Sequence, residues 1–408
     1  MERVIFHCDC NSFFASVELL SRPELQNVPV AVCGDPESRH GIILAKNEAA
    51  KKYHIQTAET IYSALRKCPQ LVLLPSHHEL YRRYSRTVNA IYARFSDRVE
   101  PFSIDESWLD MTHTWQLFGA CPADVANEVR RTVKNETGIT ISVGVSFNKV
   151  FAKLGSDYKK PDAVTVFSEE NYRRLVWALP VGDLLFVGRI AQGVLAGMGI
   201  RSIGQLAAAD EGLLRERLGK LGPELRRYAL GLDDSPVRRP EEQEPIKSVG
   251  NGLTFRRNLV GLADVRTGLA ALADEVATRL RRYGLYAGAV QVVIKDVQLK
   301  IISRQKTLPY PTHLAKDLAA AALALVQANW DLAKPIRMLT VTAQNLTDDP
   351  TAVQQLSLWE APPAPDAKRE RLEKSLDAIR GKYGKTAIAS ASAVKNDIGI
   401  DDVEMDER

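Results

Sequence analysis

The sequence predicts an α+β protein of several domains, and three stretches carry that expectation. Up to about residue 167, short apolar runs alternate with amphipathic ones, which implies a mixed α/β unit. From 168 to 237 the pattern turns helical and is punctuated by glycines. Residues 246–347 follow the order β-α-β-β-α-β, which makes a four-stranded sheet with both helices on one face. A chain of 408 residues has room for roughly two to four such units.

The elements follow in order. "RVIFHCD" reads as a short buried strand, and "SFFASVELLS" as a helix capped near Asn11 or Ser12 and closed by Pro23. "VPVAVCG" is a strand ending at Gly34, and "GIILAKNEAAKKYHI" a strand running into a helix. "HHELYRRYSRTVNAIYARFS" is a long helix with Leu80, Tyr84, Val88 and Ile91 on one side. "VEPFSIDESWLDMT" reads as two strands joined by a turn centred on Asp105 and Glu106. A helix near 122–136 and the strand "ITISVGVS" complete this part. In "LPVGDLLFVGRIAQGVLAGMGIRSIGQLAAAD" short helices are separated by glycines, as in a helix-hairpin-helix whose free backbone N–H groups can approach a phosphate. "RRPEEQEP" (238–245) is proline-bounded and charged, and reads as a linker. "SVGNGLTF", "GAVQVVIKDVQ", "KIISRQKTL" and "IRMLTVTAQNL" are the strands of the last unit. "LADVRTGLAALADEVATRLRRYG" and "LAKDLAAAALALVQANW" are its helices. Beyond 350, one amphipathic helix can form in "KRERLEKSLDAIRGKYG" before an acidic end.

Composition is that of an ordinary soluble protein, with 45% apolar and 25% charged residues. No stretch approaches the ~18 consecutive apolar residues of a spanning helix. The start "MERVIFHCDC" lacks a signal-peptide pattern, so a cytoplasmic location is expected. Five cysteines form no C-x-x-C pair and no even disulfide set. Residues 246–347 hold fourteen Lys/Arg against six Asp/Glu, although the whole chain is only +4. That concentration of positive charge suits a nucleic-acid surface.

"FHCDCNSFFASVE" poses the chemical question. A thiolate metal site needs about four soft ligands, and Cys8 and Cys10 have no partner set downstream. On a strand they share one face while Asp9 points to the other. The cysteines therefore read as packing, which leaves Asp9 to be explained. Asp105 and Glu106 sit adjacent on a turn, an arrangement that repels unless a cation neutralises it. Carboxylates gathered from separate strands suit Mg²⁺, a hard ion taking oxygen ligands, and can hold two such ions.

"DCNSFFASVE", "SIDESWLDM" and "GVSFNKVFAKLGSDYKKPDAV", in this order and at compatible spacing, resemble the motifs of the Y-family (translesion) DNA polymerases. The resemblance extends over about residues 1–350. It implies a right-hand polymerase with a palm at 1–19 and 77–167, fingers at 20–76, a helix-hairpin-helix thumb at 168–237 and a βαββαβ little finger at 246–347, ahead of a tail at 348–408. It places Asp9, Asp105, Glu106 and the Cys10 carbonyl at the ligands of two Mg²⁺ ions. Phe14 falls at the steric gate that selects deoxynucleotides, with Phe13 packed beside it at the same substrate position. Lys160 matches the lysine that holds the triphosphate of the incoming dNTP. Where the family commonly has a tyrosine and an arginine on the triphosphate, this chain has Glu48 and Lys51; Lys51 keeps the charge without the fork of arginine. Asn11 stands where many members have a second aspartate, and "FVGR" replaces Gly-x-Gly in the thumb hairpin.

"QLSLW" (355–359) resembles the bacterial sliding-clamp-binding pentapeptide, with Leu358 and Trp359 as apolar anchors, Leu356 ahead of them and Gln355 at the rim. The resemblance thus implies a monomeric, template-directed enzyme that adds dNTPs to a primer on DNA, bypasses lesions at low fidelity and binds the clamp. Two other readings use the same features: a catalytically inactive DNA- and clamp-binding accessory protein, and a metal-dependent nuclease. Intact Asp9, Asp105 and Glu106 count against the first. Phe14 and Lys160, which serve a nucleoside triphosphate, have no role in the second.

Overall fold

In the computed structural model, which describes residues 3–35, 41–239, 241–242, 244–349, 367–384, 387–388 and 396–400, the chain divides into two units, Met1–Gln243 and Glu244–Arg408. The first is organised around β1 (Ile5–Cys10), which is buried along its whole length. After it come α1 (Phe13–Leu19), β2 (Val30–Cys33), β3 (Ile43–Lys46), α2 (Glu48–Lys51), α3 (Ile61–Lys67), β4 (Val72–Pro75) and α4 (His78–Tyr92). The chain continues through β5 (Val99–Pro101), β6 (Glu106–Asp110), α5 (Pro122–Thr137), β7 (Ile141–Ser146), α6 (Lys149–Tyr158) and β8 (Val164–Phe167). Five strands form one sheet in the order β5-β6-β1-β7-β8, and β3-β2-β4 form a separate one.

Period-two alternation gives β1 two distinct faces. Phe6, Cys8 and Cys10 enter the main core with Phe13, Val17, Tyr81, Val88 and Val129. His7 and Asp9 lie on the opposite face, where α6 packs. Close approach of that helix depends on Gly144 in β7: a Cβ there would fall 1.9 Å from the Ala152 carbonyl oxygen. Asn148 starts α6 by accepting the Phe151 N–H at 2.7 Å. The helix is thereby set down directly over Asp9.

Glu106 differs from expectation. It is the first residue of β6, not part of the turn, because the ladder pairs it directly with Asp9. Only Asp105 remains in the connection.

Residues 172–229 form α7 (Tyr172–Leu175), α8 (Arg189–Gly197), α9 (Ile203–Ala208), α10 (Glu211–Leu218) and α11 (Leu221–Ala229), closed over Val176, Leu195, Ile203, Leu214 and Leu225. In the "FVGR" turn, the left-handed backbone position falls on Phe186, with φ 70°. The stretch expected as a linker is tied to the first unit as far as Arg239, by the Arg238 N–H on Glu100 (2.9 Å) and by Arg239 on Asp97 (2.8 Å).

The second unit contains β9 (Val249–Leu259), α12 (Gly261–Tyr283), β10 (Tyr286–Asp296), β11 (Ile301–Thr312), α13 (Ala315–Asn329) and β12 (Ile336–Thr347). Its antiparallel sheet has the order β11-β10-β12-β9 and packs on α12 and α13, as the βαββαβ pattern predicts. The tail helix forms as α14 (Ala367–Tyr383), but it meets the unit through charge. Arg281, 5% exposed on α12, pairs with Glu373 and with Asp377 (2.6 Å), while Arg380 pairs with Asp274 at 2.8 Å. Further on, Ile398 is buried and Asp397 pairs with Arg257. No helix among the described residues is long and apolar enough to cross a membrane.

A buried guanidinium stripped of its carboxylates destabilises far more than a broken surface pair. Glu373→Ala combined with Asp377→Ala should therefore lower the stability of the second unit by about 3 kcal/mol. Lys374→Ala, at the exposed pair with Glu370, should cost less than about 1 kcal/mol. Denaturant unfolding followed by hydrogen exchange in α12 measures both, and equal losses would deny the tail this role.

Candidate active site

The register of β1 against β6 sets two carboxylates directly opposite each other, Asp9 and Glu106, in a buried position. With His7 they form a group whose ligand atoms lie within 4.8 Å of one another. Like charges facing across a ladder are destabilising, and the compensation comes from α6. Lys153 Nζ stands 3.1 Å from Asp9 Oδ2, 3.1 Å from Glu106 Oε1 and 3.0 Å from Asp157 Oδ2. Lys160, just past the helix, reaches Asp9 Oδ2 at 2.6 Å and Asp157 Oδ1 at 2.7 Å.

Desolvation and charge pull these groups in different directions. Burial pushes the Asp9 carboxyl up, against the pull of Lys153 and Lys160. Burial acts on Glu106 too but is outweighed by His7 and Lys153, so its carboxyl lies below the ordinary value. Burial carries His7 down to about 4, which keeps the imidazole neutral at pH 7. Its Nδ1 meets Ser156 Oγ at 2.8 Å, and its Nε2 faces Glu106 Oε2 at 3.4 Å. Asp105 is raised by burial. Its carboxylate stands apart from the tight group and accepts from Ser103 Oγ at 2.5 Å, while its backbone carbonyl accepts the Cys10 N–H at 3.0 Å.

The donor set fits divalent cations. It consists of hard carboxylate oxygens, and Glu106 Oε2 is buried without a hydrogen-bond partner. Four carboxylates (Asp9, Asp105, Glu106 and Asp157) face two ammonium groups, so negative charge remains uncompensated. Cys8 and Cys10 are buried free thiols in the core, and no cysteine joins the group among the described residues.

Around this cluster, Phe13 is buried in the core while Phe14 is only half-buried. Phe14 stacks on Tyr81, with ring centroids 4.1 Å apart and planes at 13°. The Tyr81 hydroxyl donates to the buried Glu18 at 2.7 Å, and His77 and Arg22 meet the same carboxylate at 2.7 Å each. Lys51 pairs with Glu48 at 2.6 Å, and Glu48 also accepts from Ser12 Oγ at 3.2 Å. Glu48, an acid where a phosphate contact is expected, is thus neutralised locally by Lys51. Gln355, Leu356, Leu358 and Trp359 lie outside the described residues.

Sequence reasoning missed Lys153, His7 and Tyr81. Lys153 and Asp157 are spaced i, i+4 on one face of α6, with Lys160 just past its end, and that spacing is the available signal. His7 shares the face of Asp9 by strand alternation. For Tyr81 no local signal pointed to Phe14.

Comparison with known proteins gives the family. The impB/mucB/samB family matches residues 8–157, and the C-terminal domain of that family matches residues 246–358. The chain is 44% identical over 387 residues to DNA polymerase IV of Acetivibrio thermocellus, covering 94% of this chain and 96% of that one. It is 34% identical to DNA polymerase IV 1 of Bacillus subtilis, covering 97% and 94% respectively. A solved Y-family DNA polymerase chimera has the same fold, with a TM-score of 0.75 at 21% identity over 84% of this chain and 98% of that one. With both halves of the chain matched by the family's models and nearly the whole chain matched by curated relatives, this protein belongs to the impB/mucB/samB family of Y-family DNA polymerases.

Proposed function

We propose that the chain is a template-directed DNA polymerase of the translesion type, which extends a primer 3′-OH with dNTPs during DNA repair. The observation that carries this reading is the Asp9–Glu106 cross-strand pair under Lys153 and Lys160. Asp9, Asp105, Glu106 and the Cys10 carbonyl would hold two Mg²⁺ ions. Those ions, when bound, supply a Lewis-acid contact that acidifies the primer hydroxyl and neutralises the triphosphate.

The remaining work belongs to the residues. The 3′-oxygen attacks the α-phosphorus in line, the P–O bond to the β-phosphate breaks, and pyrophosphate leaves. Nearly all of the assistance is positioning and charge. Lys160 binds the triphosphate, and Lys153 keeps Asp9 and Glu106 charge-compensated until substrate arrives. The neutral His7 backs Glu106 from the protein side. Phe14, braced by Tyr81, presents a flat face that leaves no room for a 2′-OH. We assign the five-stranded sheet to the palm, β2–β4 to the fingers, α7–α11 to the thumb and β9–β12 to the little finger. β11 is an exposed edge strand carrying Arg304 and Lys306, which supports contact with the DNA backbone. Gln355–Trp359 docks on the bacterial sliding clamp.

Three measurements test these assignments. Primer extension with Mg²⁺ and dNTPs should fall at least ~10²-fold in Glu106→Ala, since removing one group that stabilises transition-state charge costs that much; undiminished extension would reject the site. Phe14→Ala should incorporate ribonucleotides while keeping dNTP extension, and unchanged sugar selectivity would remove the gate. Deleting 355–359 should abolish stimulation by the clamp and spare basal synthesis; equal loss of both would contradict the docking role.

A further inference from the structure

We propose that Asn11 is a positioning residue for the incoming triphosphate: its carboxamide fixes the turn that carries Lys160 and so sets where that ammonium stands relative to Asp9. The inference rests on Lys160 as a triphosphate contact. Asn11 lies just past the end of β1, two residues beyond Asp9, and is 5% exposed. Its Oδ1 accepts the backbone N–H of Asp162 at 2.7 Å, only two residues beyond Lys160. The rest of the amide is also engaged. Nδ2 donates to Ser142 Oγ at 2.9 Å, Thr140 Oγ1 donates to Oδ1 at 3.3 Å, and the Asn11 N–H donates to the Thr140 carbonyl at 2.9 Å.

Asp162 needs such an anchor. It sits at φ 53°, in the left-handed region that a non-glycine residue occupies at a cost. Arg130 Nη1 (2.5 Å) and Lys134 Nζ (3.1 Å), one turn apart on α5, hold its carboxylate from the outside. Asn11 holds its backbone from the inside. The turn is therefore clamped between α5 and the strand that bears Asp9, and the Lys160 ammonium comes to rest 2.6 Å from Asp9. A residue that merely tied β7 to β1 would use Thr140 and Ser142 alone; the Asp162 contact adds nothing to that tie.

The test compares Asn11→Ala, Asn11→Asp, Lys160→Ala and the double variant Asn11→Ala/Lys160→Ala in the full-length protein. Readouts are dNTP affinity on a dideoxy-terminated primer-template, KM and kcat for extension, primer-template affinity and thermal unfolding. Asn11→Ala should weaken dNTP binding and raise KM roughly tenfold, the cost of one lost buried acceptor, with kcat and DNA affinity unchanged. Asn11→Asp keeps an oxygen for the Asp162 N–H and should restore dNTP affinity. The double variant should bind dNTP no more weakly than Lys160→Ala, because both changes act through one group. If Asn11→Ala does not fold, Asn11→Ser takes its place, since it keeps a polar side chain but removes the Oδ1 that accepts the Asp162 N–H. Additive losses, or an Asn11→Asp variant as weak as Asn11→Ala, overturn the proposal while leaving Lys160 in its role. Lys160→Ala without loss of dNTP affinity removes the Lys160 reading and the proposal together.

Discussion

Two carboxylates held opposite each other across a β-ladder are the constraint to which the first unit answers. With Asp9 and Glu106 within 4.8 Å, an effective dielectric near 20 gives a repulsion of at least roughly 3.5 kcal/mol. The strand register cannot relax it, because a one-residue slip would turn Phe6, Cys8 and Cys10 out of the core. Compensation has to come from another element. α6 provides it, and can approach only because Gly144 and Gly155 leave space between helix and sheet. Lys153 is tied to Asp9, Glu106 and Asp157 at once, so the helix that relieves the repulsion is itself fixed by it.

The same logic recurs on α12, where a buried charge is again met by charges from a distant part of the chain. Arg281 is desolvated and would be costly alone. Glu373 and Asp377 reach it because they lie four residues apart on α14, on one side of that helix. α14 therefore turns its acidic side inward and leaves Leu372 and Tyr383 exposed. This is the reverse of what amphipathic periodicity leads one to expect.

Local pattern made legible whatever depends on a single element. The two faces of β1, the packing role of Cys8 and Cys10, and the βαββαβ order all follow from periodicity. The resemblance of three motifs, not periodicity, points to the carboxylates at 9 and 105–106. The pairing of Asp9 with Glu106 is not legible, because register is fixed by a turn whose length the sequence lets one read in two ways, one of which leaves Glu106 in the turn. Lys153 was missed for a related reason: a lysine on a helix is ordinarily a solvated residue, and only the close approach at Gly144 makes it an internal counter-ion. The motif points to Phe14 but not to its brace, since Tyr81 is far away in sequence and its hydroxyl is claimed by Glu18.

Compensation by tethered ammonium groups has a consequence that hydrogen bonding by neutral donors would not. A neutral donor set would leave Asp9, already pushed up by burial, closer to protonation and less able to receive a cation. Two lysines favour the ionised form in the free protein. In the proposed reaction Asp9 and Glu106 would take divalent ions as their counter-ions, and anionic phosphate oxygens would come to lie beside Lys160. The ammonium can exchange a carboxylate for a phosphate oxygen while remaining paired, so no buried charge is stripped of a partner on the way. A site compensated in this manner is preorganised by the fold itself, with Asp9 and Glu106 held face to face before any ligand binds.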